Sequence, residues 1–251
     1  MIPKIIHQIY WDFSGNNNPP PKDWLRFSKI IRNNHKNWDY KLWNDKSCFN
    51  LINNHYPWFL NTYNGYKYPI QKADAIRPFI LYHYGGIYID MDFTCVKNID
   101  NFFNKKGIYI LESSHYGLSN AFMASSKNHP FWKNVMEELM KNNKKKIYQT
   151  HHIYIMQSTG PYLITQSFKK YKNNDTYIIP KNLFNPCNVC SNNCKQNKNT
   201  YCYTLNSSSW NKIDSKIFNY IYCYSKIIFL SFIIIFIFYI VNKYQFISIS
   251  Q

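Results

Sequence analysis

Acidic residues are scarce: 13 Asp and Glu stand against 30 Lys and Arg, for a formal net charge of +17. A two-metal nuclease or phosphotransferase builds its centre from several carboxylates, and a chain this poor in acids has few to supply. Glycine (7) and proline (11) are also few, which excludes a collagen-like or low-complexity chain. Internal repeats are absent, and basic residues are dispersed apart from the run Lys144-Lys145-Lys146. Dispersed lysine makes a solvated surface with a general attraction for phosphorylated partners. Without a clustered basic motif it gives no specific nucleic-acid reader. The start, Met1-Ile2-Pro3-Lys4, lacks the basic region, apolar run and small-residue cleavage site of a secretory signal.

Apolar sequence is plentiful, at 45% hydrophobic and 19% aromatic, enough for one packed domain with an appendage. Residues 227–241 are almost wholly Ile and Phe, interrupted by Ser231 and Tyr239 and flanked by Lys226 and Lys243. A membrane span needs about 20 apolar residues. Extension back through Ile217-Phe218 and Ile221-Tyr222, with Lys226 snorkelling, supplies them. A buried helix is the other reading, but the run has no polar face, which favours a membrane anchor at about 222–241 in a hydrophobic tail, 213–251. With no leading signal, the expectation is a single-pass anchor at the carboxyl end and a catalytic domain in the cytosol.

Over 1–212, strand-like segments at 2–11, 38–43, 87–96, 108–112, 118–124 and 176–180 alternate with helical periodicity at 22–34, 71–84, 130–142 and 161–171. Residues 44–70 read as irregular, and 185–202 as a Cys- and Asn-rich insertion. Alternation of strands and helices predicts an α/β domain with a largely parallel sheet.

The sharpest chemical signal is Asp90-Met91-Asp92. On a continuous strand, Tyr88, Asp90 and Asp92 share one face and Ile87, Ile89, Met91 and Phe93 the other. Two like charges side by side in apolar surroundings are costly, and a divalent cation removes that cost; hard oxygen ligands suit Mn²⁺ or Mg²⁺. An isolated acid-x-acid triplet is common by chance, so the surroundings matter. Asp74 and Arg77 lie three apart on the preceding helix, which Gly85-Gly86 terminates. That places a hydroxyl acceptor and a fork-shaped cation beside the two acids.

The block Ala73-Asp74-x-x-Arg77 through Leu81-Tyr82-x-Tyr84-Gly85-Gly86-Ile87-Tyr88-Ile89-Asp90-Met91-Asp92 resembles the DXD-type glycosyltransferases. It is most similar to glycosyltransferase family 32, which includes fungal α-mannosyltransferases, inositol-phosphoceramide mannosyltransferases and capsular-sugar transferases. Ile2-Pro3-Lys4-Ile5-Ile6-His7-Gln8-Ile9, Trp38-x-Tyr40-x-Leu42-Trp43-x-Asp45, Asn120-Ala121-Phe122-Met123-Ala124, His129-Pro130-Phe131 and Thr159-Gly160-Pro161 follow the family's order. The resemblance, over about residues 2–165, implies a GT-A-like nucleotide-binding sheet flanked by helices. It also implies retaining transfer of a hexose, mannose foremost, from a GDP- or UDP-sugar to a glycan or lipid acceptor. By position, Asp92 would bind the metal, and Asp90 the ribose and the metal or its waters. Asp74 and Arg77 would hold the donor sugar, with Tyr88 beside them, and Asn120 would face the acceptor. Tyr10 or Trp11 would stack on the nucleobase. The family's His before a Ser-Trp is missing: the stretch reads Thr204-Leu205-Asn206-Ser207-Ser208-Ser209-Trp210. There Asn206 or Ser208 is the candidate oxygen ligand, and a catalytically degenerate, membrane-bound sugar-binding protein is the alternative.

Cys187, Cys190, Cys194 and Cys202 fit either a structural Zn²⁺ site or disulfides in an oxidising compartment. Cys48, Cys95 and Cys223 read as buried thiols. His151-His152 point apart and are poor joint ligands.

Overall fold

The computed structural model describes every residue except 115–116, 172, 188–189, 191–193, 195, 205–211 and 250–251, together with the backbone alone of 241–249. The chain divides into two compact units, Met1–Trp210 and Asn211–Gln251.

The first unit opens with β1 (Ile5–Ile9), α1 (Lys22–Asn34) and β2 (Asp39–Trp43). Contrary to the expectation of irregular chain, α2 (Asp45–His55), a 3₁₀ turn (Pro57–Phe59) and α3 (Leu60–Gly65) follow. The start of α2 is fixed by a reciprocal cap between Asn44 and Ser47. Next come α4 (Pro69–Tyr84), β3 (Gly86–Ile89), β4 (Phe93–Cys95), β5 (Ile108–Glu112) and β6 (Leu118–Ser125). The unit closes with α5 (Phe131–Lys141), α6 (His151–Ser158), α7 (Pro161–Lys170), β7 (Thr176–Ile179), α8 (Lys181–Phe184) and β8 (Cys202–Thr204).

The main sheet has the order β2-β1-β3-β6-β5-β7. The ladders β1/β2, β1/β3 and β5/β7 are parallel, while β3/β6 and β5/β6 are antiparallel. Apolar clusters cover both faces, one including α4, α5 and α7, the other Ile31, Trp38, Phe103 and Phe184. Strand β3 is therefore buried along its whole length and reads as a continuous apolar run.

The junction between α4 and β3 is closely packed. Gly85 and Gly86 have φ of +68° and +91°, and a Cβ on Gly86 would lie 2.5 Å from the Ile5 carbonyl oxygen. Only glycine meets both conditions. Buried His7 braces this turn: its Nε2 hydrogen-bonds the Gly85 carbonyl at 2.9 Å, and Trp43 Nε1 donates to its Nδ1 at 3.2 Å. An accepting Nδ1 and a donating Nε2 define the neutral tautomer.

The strand expected over 87–96 is interrupted. After Ile89 the chain turns at Met91-Asp92, with Phe93 N–H donating to the Asp90 carbonyl at 3.1 Å. This sends β4 out of the main sheet to pair with β8. A disulfide joins Cys95 to Cys202, and another joins Cys187 to Cys194. The zinc alternative is thereby set aside, because Cys190 is also in disulfide form and no set of four thiolates is left. Cys95 is not the free thiol expected, nor is Cys223, whereas Cys48 is a free, buried one.

The second unit is a long helix, α9 (Ile213–Ile249). Its 28-residue stretch Ile213–Ile240 is long and apolar enough to cross a membrane. At about 1.5 Å per residue it rises about 42 Å, more than the hydrocarbon core of about 30 Å. Apolar side chains such as Phe229, Ile234 and Phe238 are exposed along it.

Burial, opposed by the Gly85 hydrogen bond and reinforced by Lys41, depresses the His7 pKa from 6.5 to about 4. The unfolded chain binds the proton first, so this contribution is complete above pH 6.5 and is lost as the pH falls toward 4. Urea denaturation in micelles is expected to show about 3 kcal/mol of acid destabilisation from this group. His7→Gln should flatten the profile by that share; an unchanged profile would exclude His7 as its source.

Candidate active site

Parallel strands β1 and β3 end at the same edge of the sheet, where ligands bind in open α/β sheets. A cleft of about 450 Å³ opens there, within the size range of small-molecule sites. It gathers Tyr10, Asp74, Arg77, Tyr88, Asp90, Asp92 and Asn120, expected from the sequence to share a site, within one lining. Trp11, also a candidate, lies in the same wall. Asn206 lies outside the described residues.

Each side chain arrives by a separate route. Helix α4 is buried over most of its length and turns Asp74 and Arg77 toward the cleft. Strand β3 delivers Tyr88, and the turn beyond it presents Asp90 and Asp92. Strand β6 loses register with β5 between its partners Met123 and Ser119, and this bulge contains Asn120. Such irregularities re-aim side chains.

Arg77 joins these elements. Its Nη2 lies 2.9 Å from Asp74 Oδ1 and 3.1 Å from Asp90 Oδ1. Its Nη1 donates to the Asn120 carbonyl at 2.9 Å. Asn120 Nδ2 donates in turn to Asp74 Oδ1 at 3.1 Å. The guanidinium carbon sits 4.7 Å from the Tyr88 ring centroid, and the Tyr88 hydroxyl donates to Asp90 Oδ1 at 2.5 Å. Both terminal nitrogens of Arg77 thus serve protein acceptors, while its Nε is buried without a hydrogen-bond partner among the described residues.

Burial raises the Asp90 pKa to about 7; Arg77 opposes the shift and the neighbouring Asp92 adds to it. Burial likewise raises Asp74 to about 6 against the pull of Arg77 and the Asn120 hydrogen bond. For Arg77, burial disfavours the charge, but Asp90, Tyr88, Asp74 and Asp92 more than offset it and raise its pKa. Extra positive charge near Asp90 would favour its carboxylate form. The hard oxygens of Asp90 and Asp92, brought together beside a cleft, fit a divalent cation.

Part of the cleft lining is aromatic. Tyr10 and Trp24 meet edge to face at 6.3 Å, and Trp11 and Phe13 at 6.2 Å. The Tyr10 hydroxyl donates to the Asn18 carbonyl at 2.7 Å, tying it to the loop after β1. Trp24 and Phe13 were not foreseen as site residues, and neither was Gln8. Gln8 Nε2 reaches the Asp90 carbonyl at 3.4 Å, while its Oε1 accepts from Ser28 at 2.6 Å and Tyr40 at 2.9 Å. The polar pair His7-Gln8 inside the otherwise apolar run from Ile5 to Ile9 was the available signal.

Removing Arg77 leaves buried Asp74 and half-buried Asp90 without their cation. Arg77→Met is expected to cost about 3–5 kcal/mol of unfolding free energy, and less in an Asp74→Asn background, because one of the acids is then already neutral. Equal costs in the two backgrounds, by urea denaturation, would show that Arg77 and Asp74 are not coupled.

The profile described as the glycosyltransferase sugar-binding region containing the DXD motif matches residues 21–109, which include Asp74, Arg77, Asp90 and Asp92. Mannosyl phosphorylinositol ceramide synthase CSH1 of Saccharomyces cerevisiae is 41% identical over 172 residues, or 68% of this chain and 44% of that protein. The uncharacterized glycosyltransferase L373 of Acanthamoeba polyphaga mimivirus is 34% identical over 224 residues, 84% of each chain. The chain spans about half the length of CSH1 and of a second Saccharomyces cerevisiae relative, mannosyl phosphorylinositol ceramide synthase SUR1, at 44% and 54%. Among solved structures, the ligand-free glycosyltransferase domain of the YGT toxin superposes with a TM-score of 0.55 at 8% identity, covering 71% of this chain and 80% of that one; this is a likeness of fold. With its acids, arginine and asparagine converging at the end of β3 and a relative matched along most of its length, the chain belongs to the DXD-motif glycosyltransferases.

Proposed function

We propose that this chain transfers a hexose, with mannose favoured, from a nucleotide-sugar donor to a lipid acceptor carrying a phosphorylated inositol headgroup. The observation that carries this reading is the mixed lining of one cleft, aromatic and charged. An aromatic wall of Tyr10, Trp11 and Trp24 suits a nucleobase, and the Asp-Arg-Asn cluster suits a sugar diphosphate. Mannose and the ceramide-linked acceptor follow from the activity for which the yeast relatives are named.

Asp90 and Asp92 would hold Mn²⁺ or Mg²⁺, which when bound supplies positive charge to the departing diphosphate. Arg77 acts chiefly through its neighbours, fixing one oxygen of Asp90 and the carbonyl of Asn120. Tyr88 fixes the same Asp90 oxygen, leaving the second for the donor side. Asp74, held by Arg77 and Asn120, accepts from hydroxyls of the sugar. Walls of Ile70, Ile155 and Pro161 reduce the water reaching the reacting carbon. A preformed network of this kind needs little rearrangement during the reaction. Retention of anomeric configuration belongs to the same proposal and rests on the family resemblance.

Helix α9 would anchor the chain in the membrane that contains the lipid. Buried disulfides favour an oxidising face of that membrane over the cytosolic side read from the sequence.

The test is metal-dependent transfer by the full chain in micelles from a panel of GDP- and UDP-sugars, with GDP-mannose expected to lead. Asp92→Asn should lower transfer by at least about 10²–10³-fold with an unchanged circular dichroism spectrum. Full activity in that folded variant would overturn the assignment. Binding of nucleotide without turnover of any donor would point instead to a sugar-binding protein.

A further inference from the structure

Beyond Asp92 the polypeptide leaves the main sheet, and its placement there depends on a small ladder. Phe93, Thr94 and Cys95 pair antiparallel with Thr204, Tyr203 and Cys202. Three residues a side is too short for a stable two-stranded ribbon, so this ladder needs other support. At its near end the Thr204 hydroxyl donates to the Asp92 carbonyl at 3.2 Å. At its far end Cys95 and Cys202, both fully buried, are joined covalently. Asn34 adds a hydrogen bond to the Cys95 carbonyl at 2.8 Å, and the Phe27 ring meets Tyr203 at 5.9 Å. These noncovalent contacts dock the ladder on α1. The disulfide alone fixes covalently which residue of β8 faces which residue of β4, and hence which atom stands beside Asp92.

We propose that the Cys95–Cys202 disulfide is a positioning element of the transferase site: by locking β4 to β8 it holds the turn that presents Asp92 at the cleft. The catalytic part of this inference rests on the function proposed above; the structural part does not. Opening the bridge consumes two electrons and two protons from a dithiol, yields thiols at Cys95 and Cys202, and leaves the dithiol as its own disulfide. Freed from its partner, β4 can shift register or fray, and Asp92 moves with it. Transfer then depends on oxidation of a residue pair that never touches the substrate.

The experiment compares the full chain in micelles with a variant carrying Cys95→Ala and Cys202→Ala. Two quantities are read: amide hydrogen exchange, and kinetics with GDP-mannose and Mn²⁺. In the variant, exchange over residues 90–96 is expected to accelerate by about tenfold or more while that of Ile108–Glu112 stays near wild type. The donor KM should rise by about ten- to a hundredfold, with a smaller change in kcat. Unchanged exchange over 90–96 would overturn the proposal, and so would acceleration spread evenly over both regions with KM unchanged, which marks a merely structural bond. Should the variant fail to fold, the folded wild-type chain is reduced with dithiothreitol, bridge opening is followed by mass, and the same two regions are compared under the same criteria. If wild type turns over no donor, the functional proposal fails and exchange alone decides this one.

Discussion

The site depends on a single buried cation. Arg77 pairs with both Asp74 and Asp90 through one terminal nitrogen, and its other terminal nitrogen holds the backbone of β6. Like charges repel strongly where water is excluded, and the guanidinium favours the ionised form of both acids. Lysine would not replace it, because a point charge cannot address three acceptors in a planar fork. The stack of Arg77 on Tyr88 and the bond from Tyr88 to Asp90 close the arrangement. Four elements therefore converge on one side chain, and the geometry of the DXD turn follows from it.

Charge is distributed unevenly between surface and site. The chain carries only 13 acids, yet Asp12, Asp74, Asp90 and Asp92 all line the cleft. A cationic exterior draws a polyphosphate toward the molecule, and an acidic recess concentrates divalent cations. The two preferences complement each other for a ligand that arrives as a metal-bound diphosphate. The excess of lysine, which suggests nucleic acid on composition alone, is equally compatible with this ligand.

Much of the site was legible in the sequence because its punctuation is local. Gly85-Gly86 marks the end of α4 and the start of β3, and both positive φ angles follow from that doublet. Asp74 and Arg77 sit at helical spacing on the element just before it. The turn at Met91-Asp92 was hidden, since it contains neither glycine nor proline and the alternation from Ile87 to Phe93 imitates an unbroken strand. Helix α2 escaped notice because Asn44 and Ser47 form its cap in place of the more familiar pairing with Glu, within an aromatic stretch lacking clear periodicity. The partnership of Cys95 with Cys202 is invisible to any local reading: the two are separated by 107 residues, and spacing alone grouped Cys202 with its sequence neighbours.

The sheet order carries a kinetic consequence. Strand β3 lies between β1, some eighty positions earlier, and β6, some thirty later, and it has no hairpin partner. Loops must close before either neighbour can pair, and topologies rich in such distant contacts fold slowly. Because the functional groups hang from β1, α4, β3 and β6, no early folding intermediate can contain a working cleft. During synthesis, Asp74, Arg77 and Asp90 emerge before Asn120 does, so a chain halted at β3 exposes apolar strands and uncompensated charge together. Such a species carries the exposed apolar surface and unpaired strand edges that make folding intermediates prone to aggregate.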